Sequence, residues 1–336
     1  MSPDHDDPSG RPSGRSAAPS AARPRLDATI LGVADRLRRA GVAFGHGTDD
    51  PVDEASWLVL HALGLSPALA PDHARTLGAG ELAAVDALVA RRIAERVPTA
   101  YLTGRAWFAG HELLCDARAL VPRSPLAEFI DDGFLGLVDP TAEARVLDLC
   151  TGGGCIAIAC AHALPRARVD ASDLSPEALA LAAENVALHG LEARVRLLEG
   201  SLYEPVAGPY DLVISNPPYV DAADLAAMPA EYRREPPMGL GAGRDGLDLV
   251  HGILAGAPAA LAPGGTLVVE VGNSAEALER AYPELDFAWL GFERGGAGVF
   301  ALDRAALAAR FGEAGPEPPV RTERRRPATG AGRKGT

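Results

Sequence analysis

Residues 145–154 read Arg-Val-Leu-Asp-Leu-Cys-Thr-Gly-Gly-Gly: a short apolar strand with an acid, Asp148, near its end, running into three consecutive glycines. Glycines at such a turn let the backbone reverse tightly and come close to a ligand. Working outward, residues 155–164 read as a helix closed by Pro165, and 167–173 as a second strand ending on Asp173. Residues 176–188 read as a helix with Pro176 in its first turn and Gly190 just beyond its end, the usual placing of both residues. Residues 194–198, 211–215 and 266–271 read as further strands, the last preceded by the turn Pro263-Gly264-Gly265. Residues 287–293 and 298–302, separated by Gly295-Gly296-Ala297, read as a terminal hairpin. Seven strands alternating with helices predict an α/β fold: a doubly wound, mostly parallel, Rossmann-like sheet ending in an antiparallel hairpin.

Upstream, the apolar period changes. Ile30, Val33, Ala34 and Leu37 recur at helical spacing, as do Ala55, Leu58, Val59 and Ala62, and then Leu82, Val85, Leu88 and Val89. Residues 26–98 therefore read as a small helical domain, and 99–118, with Tyr101, Trp107 and Phe108 between Gly104 and Gly110, as a connecting hairpin. Residues 1–25 are rich in Ser, Pro, Gly and Ala and read as a disordered extension. Residues 313–336 read as a disordered basic tail carrying Arg321, Arg324, Arg325, Arg326, Arg333 and Lys334. A solvated extension is the simplest reading of that tail; an electrostatic arm for ribosomal RNA is the sharper one.

The chain has 336 residues, 47% of them hydrophobic, and a formal charge of −13. An acidic chain has no general attraction to nucleic-acid phosphate, so sequence-specific DNA binding is not expected. Asp4, Asp6 and Asp7 stand where a secretory leader would be basic, and no apolar run approaches the ~18 residues that span a bilayer. The expected setting is cytoplasmic, with no membrane partner. Cys115, Cys150, Cys155 and Cys160 lack a CxxC pairing and read as small buried hydrophobes. No metal site is expected.

The glycine turn alone is a weak signal, because any α/β crossover can use glycine there. Its spacing is not that of a dinucleotide turn, and a carboxylate at Asp148 would repel pyrophosphate but suit the ammonium of an amino-acid moiety. Asp173 ends the second strand, where an acid can accept both hydroxyls of a ribose. As alternatives, Asp173 or Ser175 could cap the helix that begins at Pro176. Together the two sites point to ribose binding, and a parallel sheet that ends in a hairpin suggests a methyltransferase rather than a dehydrogenase, with S-adenosyl-L-methionine as the expected methyl donor. Asp148, Thr151, Gly152, Gly154 and Asp173 are its candidate contacts. Ser201 follows the third strand, where many methyltransferases place an adenine-contacting acid; the acid is missing, so backbone and Leu202 are left to make that contact.

Asn216-Pro217-Pro218-Tyr219 follows the fourth strand at its carboxyl end, where open α/β sheets place their ligands. A planar nitrogen has its lone pair delocalised, and attack on a sulfonium methyl needs that pair. The Asn216 side-chain oxygen and the Pro217 carbonyl can each accept one N–H, orienting the nitrogen and stabilising charge that develops on it. Tyr219 offers a π face to the acceptor plane and to the nearby cation, and the prolines pre-place the loop. Asn216, Pro217 and Tyr219 are thus the candidate catalytic residues; Asn216 also faces the donor, and all four, Pro218 included, are candidate acceptor contacts. A plain Pro-Pro turn capped by Asn is the structural alternative.

These residues resemble the HemK/PrmB family of protein N(5)-glutamine methyltransferases, from about Tyr101 to Leu302. The resemblance implies a class I methyltransferase catalytic domain over 119–312 and a substrate-recognition role for 26–98. Within the family, three stretches resemble the branch acting on large-subunit ribosomal protein three rather than the branch acting on release factors: Ala106 to Glu112, Leu120-Val121-Pro122-Arg123-Ser124-Pro125, and Glu235-Pro236 with Gly243 to Val250. Cys150 in the cofactor turn also matches that branch, whereas Gly153 and Ser201 depart from the family pattern. The implied substrate is that ribosomal protein, before or during large-subunit assembly. Arg123 and His111, bland as isolated residues, gain a binding or domain-aligning role inside these stretches. The rival classes are an adenine methyltransferase, which uses the same tetrapeptide on a nucleic acid, and a non-catalytic ribosome-assembly protein.

Overall fold

A computed structural model describes residues 23–66 and 71–313; the expected extension and basic tail lie almost wholly outside the described residues. Three helices open the chain: α1 (Leu26–Arg39), α2 (Pro51–Ala62) and α3 (Ala79–Glu95). Their apolar stripes face one another, with Ile30, Val33, Ala34 and Leu37 packed in one cluster with Ala55, Leu58, Val59, Val85 and Val89. Asp50 fixes where α2 begins: its carboxylate accepts the N–H groups of Val52 and Asp53, and Pro51 follows at the first helical position.

The connection differs from a bare hairpin. A five-residue helix, α4 (Thr99–Thr103), comes first and is closed by Gly104 at φ +69°. It is little more than one turn, too short to show a period. Strands β1 (Arg105–Phe108) and β2 (His111–Leu114) then pair antiparallel as a separate two-stranded sheet.

The rest winds as α5 (Leu126–Asp131), β3 (Arg145–Leu149), α6 (Cys155–Ala163), β4 (Arg168–Asp173), α7 (Pro176–Leu188), β5 (Val195–Glu199), β6 (Tyr210–Ser215), α8 (Ala222–Ala227), α9 (Asp248–Ala260), β7 (Leu261–Glu270), α10 (Ala275–Ala281), β8 (Ala288–Trp289), β9 (Val299–Asp303) and α11 (Arg304–Phe311). The seven strands form one sheet in the order β5-β4-β3-β6-β7-β9-β8. Strands β3 to β7 pair parallel, and β9 enters antiparallel between β7 and β8. The mostly parallel sheet with an antiparallel end is as the sequence predicts.

The terminal hairpin is shorter than its sequence pattern, because β8 keeps only two residues. The chain leaves the ladder after Leu290, and the N–H groups of Glu293 and Arg294 go to the buried carboxylate of Glu128 on α5 instead. The Pro263-Gly264-Gly265 turn is absorbed into β7 as an irregularity in its register with β6.

Core clusters cover both faces of the sheet. In β3, Val146 joins the cluster containing α6, and Leu147 and Leu149 join the one containing α9. The two-residue period puts Asp148 on the α6 side with Val146.

Candidate active site

Parallel pairing of β4, β3 and β6 brings three carboxyl ends to one edge of the sheet. The turn after β3 holds Cys150, Gly152 and Gly154 at positive φ. At Gly154, the residue before α6, a Cβ would stand 3.2 Å from the Cβ of Ala182 on α7 while the backbone sits at φ +84°. Glycine therefore permits both the left-handed turn and the close helix packing.

Asp148 lies beneath this turn and does not line the adjoining cavity. Its Oδ2 accepts the Thr151 hydroxyl at 2.5 Å and the Ala157 N–H at 3.1 Å, pinning the turn to the first turn of α6. Its Oδ1 is buried with no partner among the described residues. Burial, only partly offset by the two hydrogen bonds, pushes its carboxyl up to about 7. Thr151 is likewise buried against Asp148 and outside the cavity lining.

Asp173 does face the cavity. Its Oδ2 accepts the Gly152 N–H and its Oδ1 the Ser175 N–H, each at 2.8 Å. The cap of α7 is Ser175, whose hydroxyl accepts the Ala178 N–H. Each carboxylate oxygen of Asp173 has lone-pair capacity beyond its one bond, which suits a vicinal diol.

The cavity holds about 340 Å³, within the range of small-molecule sites. Gly152, Asp173, Leu202, Asn216 and Pro218 line it, together with Leu174 and Met238. Leu174 and Met238 are 59% and 55% exposed, two large apolar side chains turned to an open cavity. The Asp173 carboxylate, backbone groups and apolar flanks suit the ribose and flat base of an adenosyl moiety. Leu202, expected at the base, stands at φ +45°, a backbone conformation that a leucine rarely adopts without surrounding constraint.

A second cavity of about 620 Å³ adjoins the first. The tetrapeptide loop divides them: Pro218 lines the first, Pro217 and Tyr219 the second, and Asn216 lines both. The Asn216 Nδ2 donates to the Arg123 carbonyl at 3.3 Å. This orients the amide and leaves Oδ1, which accepts no hydrogen bond from the described residues, free for an acceptor N–H. Tyr219 donates its hydroxyl to Glu270 Oε1 at 2.8 Å, and Ser124 donates to the other oxygen. The Ser274 hydroxyl donates to the Tyr219 carbonyl at 3.0 Å. At Gly272 any Cβ would collide with the Tyr219 ring, 2.5 Å away. The ring's position is thus fixed from three sides. Glu270 is buried, which raises its carboxyl pKa against the lowering effect of those two hydroxyls.

Charge clothes the far wall. Arg123 makes two 2.7 Å bonds to Glu235, one to each carboxylate oxygen, and its guanidinium lies over Tyr232. Glu235 also accepts the Val121 N–H, and His46 of the helical region sits 3.4 Å from it. Burial alone would push Glu235 up, but His46 and Arg123 outweigh it and hold the carboxyl at about 2. Four residues back, Glu231 accepts from Arg92, Arg96 and the Ala43 N–H, all of the helical region. Arg92 is fully buried, also bonds Glu54 at 2.7 Å, and gives its last nitrogen to the Ala43 carbonyl. Arg123 therefore sits at the joint between the two regions and on the second cavity.

Sequence reasoning had no route to Glu231, Leu174 or Met238. Glu270 was reachable: it is an acid near the carboxyl end of a parallel strand, as Asp173 is. His111 packs with His162 and His189, residues distant in sequence.

Two family models match the chain: the methyltransferase small domain over residues 130–231 and the PrmC N-terminal domain over 34–104. Relatives that carry the name ribosomal protein uL3 glutamine methyltransferase include the following three. That of Bordetella pertussis is 47% identical, the match covering 81% of this chain and 92% of the relative. That of Xanthomonas campestris is 51% identical, over 82% and 89% of the two chains. That of Xylella fastidiosa strain Temecula1 is 49% identical over the same shares.

Proposed function

The chain belongs to the family of ribosomal protein uL3 glutamine methyltransferases, and on that premise we propose that it methylates the side-chain amide nitrogen of a glutamine in ribosomal protein uL3, with S-adenosyl-L-methionine as donor. The observation that carries the chemistry is Asn216 standing in the wall common to both cavities. A group in the acceptor cavity meets, at that wall, a group in the donor cavity.

Donor binding falls to Gly152, Asp173 and Leu202 directly, with Asn216 at the reactive end. Asp148, Thr151 and Gly154 act through the turn they hold. When bound, S-adenosyl-L-methionine would supply an electrophilic methyl on a sulfonium, the methyl–sulfur bond breaking as the methyl is transferred and its electron pair staying on sulfur as a neutral thioether. Asn216 Oδ1 and the Pro217 carbonyl accept the two N–H groups of the glutamine amide and turn its nitrogen toward that methyl. As the N–C bond forms, positive charge grows on nitrogen, and two fixed acceptor dipoles stabilise it more than they stabilise the neutral amide. The alkylated nitrogen then sheds a proton to solvent; no strong base is needed, because that proton is acidic. Tyr219, held by Glu270, presents its face to the amide plane, and Pro218 closes the donor side.

The helical region, 26–98, joins the acceptor wall through Phe44 and the Arg92–Glu231 contacts, which supports its role in recognising the substrate protein. We place the reaction in the cytoplasm, before or during large-subunit assembly, without sequence-specific DNA binding. Among the described residues no helix is long and apolar enough to cross a membrane.

The test is to incubate the purified chain with labelled methyl donor and, separately, unassembled uL3, an early large-subunit particle, release factor and duplex DNA. A single methyl on a uL3 glutamine, located by mass spectrometry, is the expected result. Label on release factor alone would overturn the substrate but keep the chemistry, and label on adenine in DNA would overturn the acceptor class.

A further inference from the structure

On the side of the sheet covered by α6 and α7, three of the chain's eight histidines converge from separate elements. His111 opens β2, His162 lies in the last turn of α6, and His189 caps the C-terminus of α7. We propose that His111, His162 and His189 form a binding site for a borderline divalent transition metal, zinc above all, that clamps the β1–β2 hairpin to α6 and α7.

The geometry is close to what such an ion needs. One ring nitrogen from each histidine falls within 4.8 Å of the other two. Tetrahedral coordination at zinc–nitrogen distances of about 2.0–2.1 Å sets ligand nitrogens roughly 3.4 Å apart. His162 Nε2 and His189 Nδ1 already stand at 3.1 Å. His111 stacks on His162 with ring centroids 4.2 Å apart, so its ring must turn about the Cβ–Cγ bond to aim a nitrogen at the shared point. That torsion is soft, and the site opens to solvent through a cavity lined by His111, His162 and Asp131.

The surroundings favour the metallated over the protonated form. The second ring nitrogen of His189 bonds the Glu112 carbonyl at 2.8 Å. A carbonyl only accepts, so Nε2 carries the hydrogen and Nδ1 is left as a lone pair facing His162. A histidine ligand held in one tautomer by a backbone carbonyl is a usual outer-shell arrangement at metal sites. Histidines at helix C-termini are ordinarily favoured as cations. Here burial and the neighbouring histidines lower the pKa of His111 and His162, and Arg194 adds to the effect on His162. One metal ion would take a lone pair from each of the three rings. Asp131, which lines the same cavity as His111 and His162, is bonded to Arg294 at 2.9 Å, which leaves the fourth position to water and makes the ligand set all-imidazole. Imidazole selects zinc, copper or nickel over magnesium or calcium.

The site is remote from both cavities, and its reach toward them is structural. Strand β2 continues to Leu114, whose N–H and carbonyl both bond the Asn185 side-chain amide, and Asn185 in turn holds the Gly153 carbonyl of the cofactor turn.

The experiment uses the full untagged chain stripped with a chelator. Zinc titration followed by calorimetry is expected to show one site, and cobalt(II) is expected to give the intense visible bands of a four-coordinate nitrogen environment. Saturating zinc should raise the melting temperature by roughly 5 °C at a hundredfold excess over Kd. It should also slow hydrogen exchange in the 105–114 hairpin. His162→Ala and His189→Ala should each abolish these responses, with folding verified by far-ultraviolet circular dichroism, and the exposed His73→Ala should keep them. Zinc binding of unchanged stoichiometry in His162→Ala and His189→Ala, or no binding to the unaltered chain, would overturn the proposal.

Discussion

The donor cavity and the acceptor cavity share a wall, yet they are built on opposite principles. The donor side uses backbone groups, the carboxylate of Asp173 and exposed apolar side chains, none of them from the helical region. The acceptor side draws on both regions and is backed by paired charges: Arg123, which lines the cavity, with Glu235, and behind the wall the buried Arg92 with Glu54 and Glu231. Backbone geometry suffices to hold a donor that never varies. A particular protein partner calls for surface that only one arrangement of two regions supplies, and buried pairs tolerate one arrangement because an unpaired charge in that place is costly.

That contrast can be broken most severely at Arg92. Arg92→Ala removes the only cation bonded to buried Glu54 among the described residues and leaves Glu231 to Arg96; it should lower the unfolding free energy by about 3–5 kcal/mol, measured by denaturant titration. A loss near that of a surface pair, under ~1 kcal/mol, would mean that the joint between the regions is not rigid. Next comes the shared wall. Asn216→Ala should reduce turnover by about 10²–10³ with donor affinity little changed; an equal loss in both would place Asn216 on the donor side only. On the donor side proper, Asp173→Ala should weaken S-adenosyl-L-methionine binding by about 1.5–3 kcal/mol in calorimetry while turnover at saturating donor falls far less. The smallest effect sharpens the contrast. Met238→Ala should cost about 1 kcal/mol of donor affinity through lost apolar contact and leave stability unchanged, since the side chain is exposed in the free protein.

Much of this was legible in the chain. The turn at 151–154, the strand ends and the tetrapeptide carry their own local signals, and the sheet follows from the alternation of periods. Asp148 shows where legibility ends. Its place near the end of a strand suggested a ligand in the crevice, but the two-residue alternation that puts Val146 under α6 puts Asp148 there as well, where it holds the turn. Asp173, one strand over, emerges at the edge and faces the cavity. The shortened hairpin could not be read, because Glu128 competes for its amides from more than 160 residues away. The same holds for Arg92 and Glu231 and for the three histidines: each half of the contact is unremarkable alone, and only the folded chain brings the halves together.

The buried Arg92–Glu231 seam has a consequence for how the partner arrives. Swinging the helical region away would separate buried, paired charges, a cost that opposes opening and closing the cleft around its target like a jaw. Selectivity then passes to the shape of the guest: a glutamine must stand out on a loop that is already protruding and slender enough to reach Asn216. Glutamines within helices or strands are refused by their own backbone.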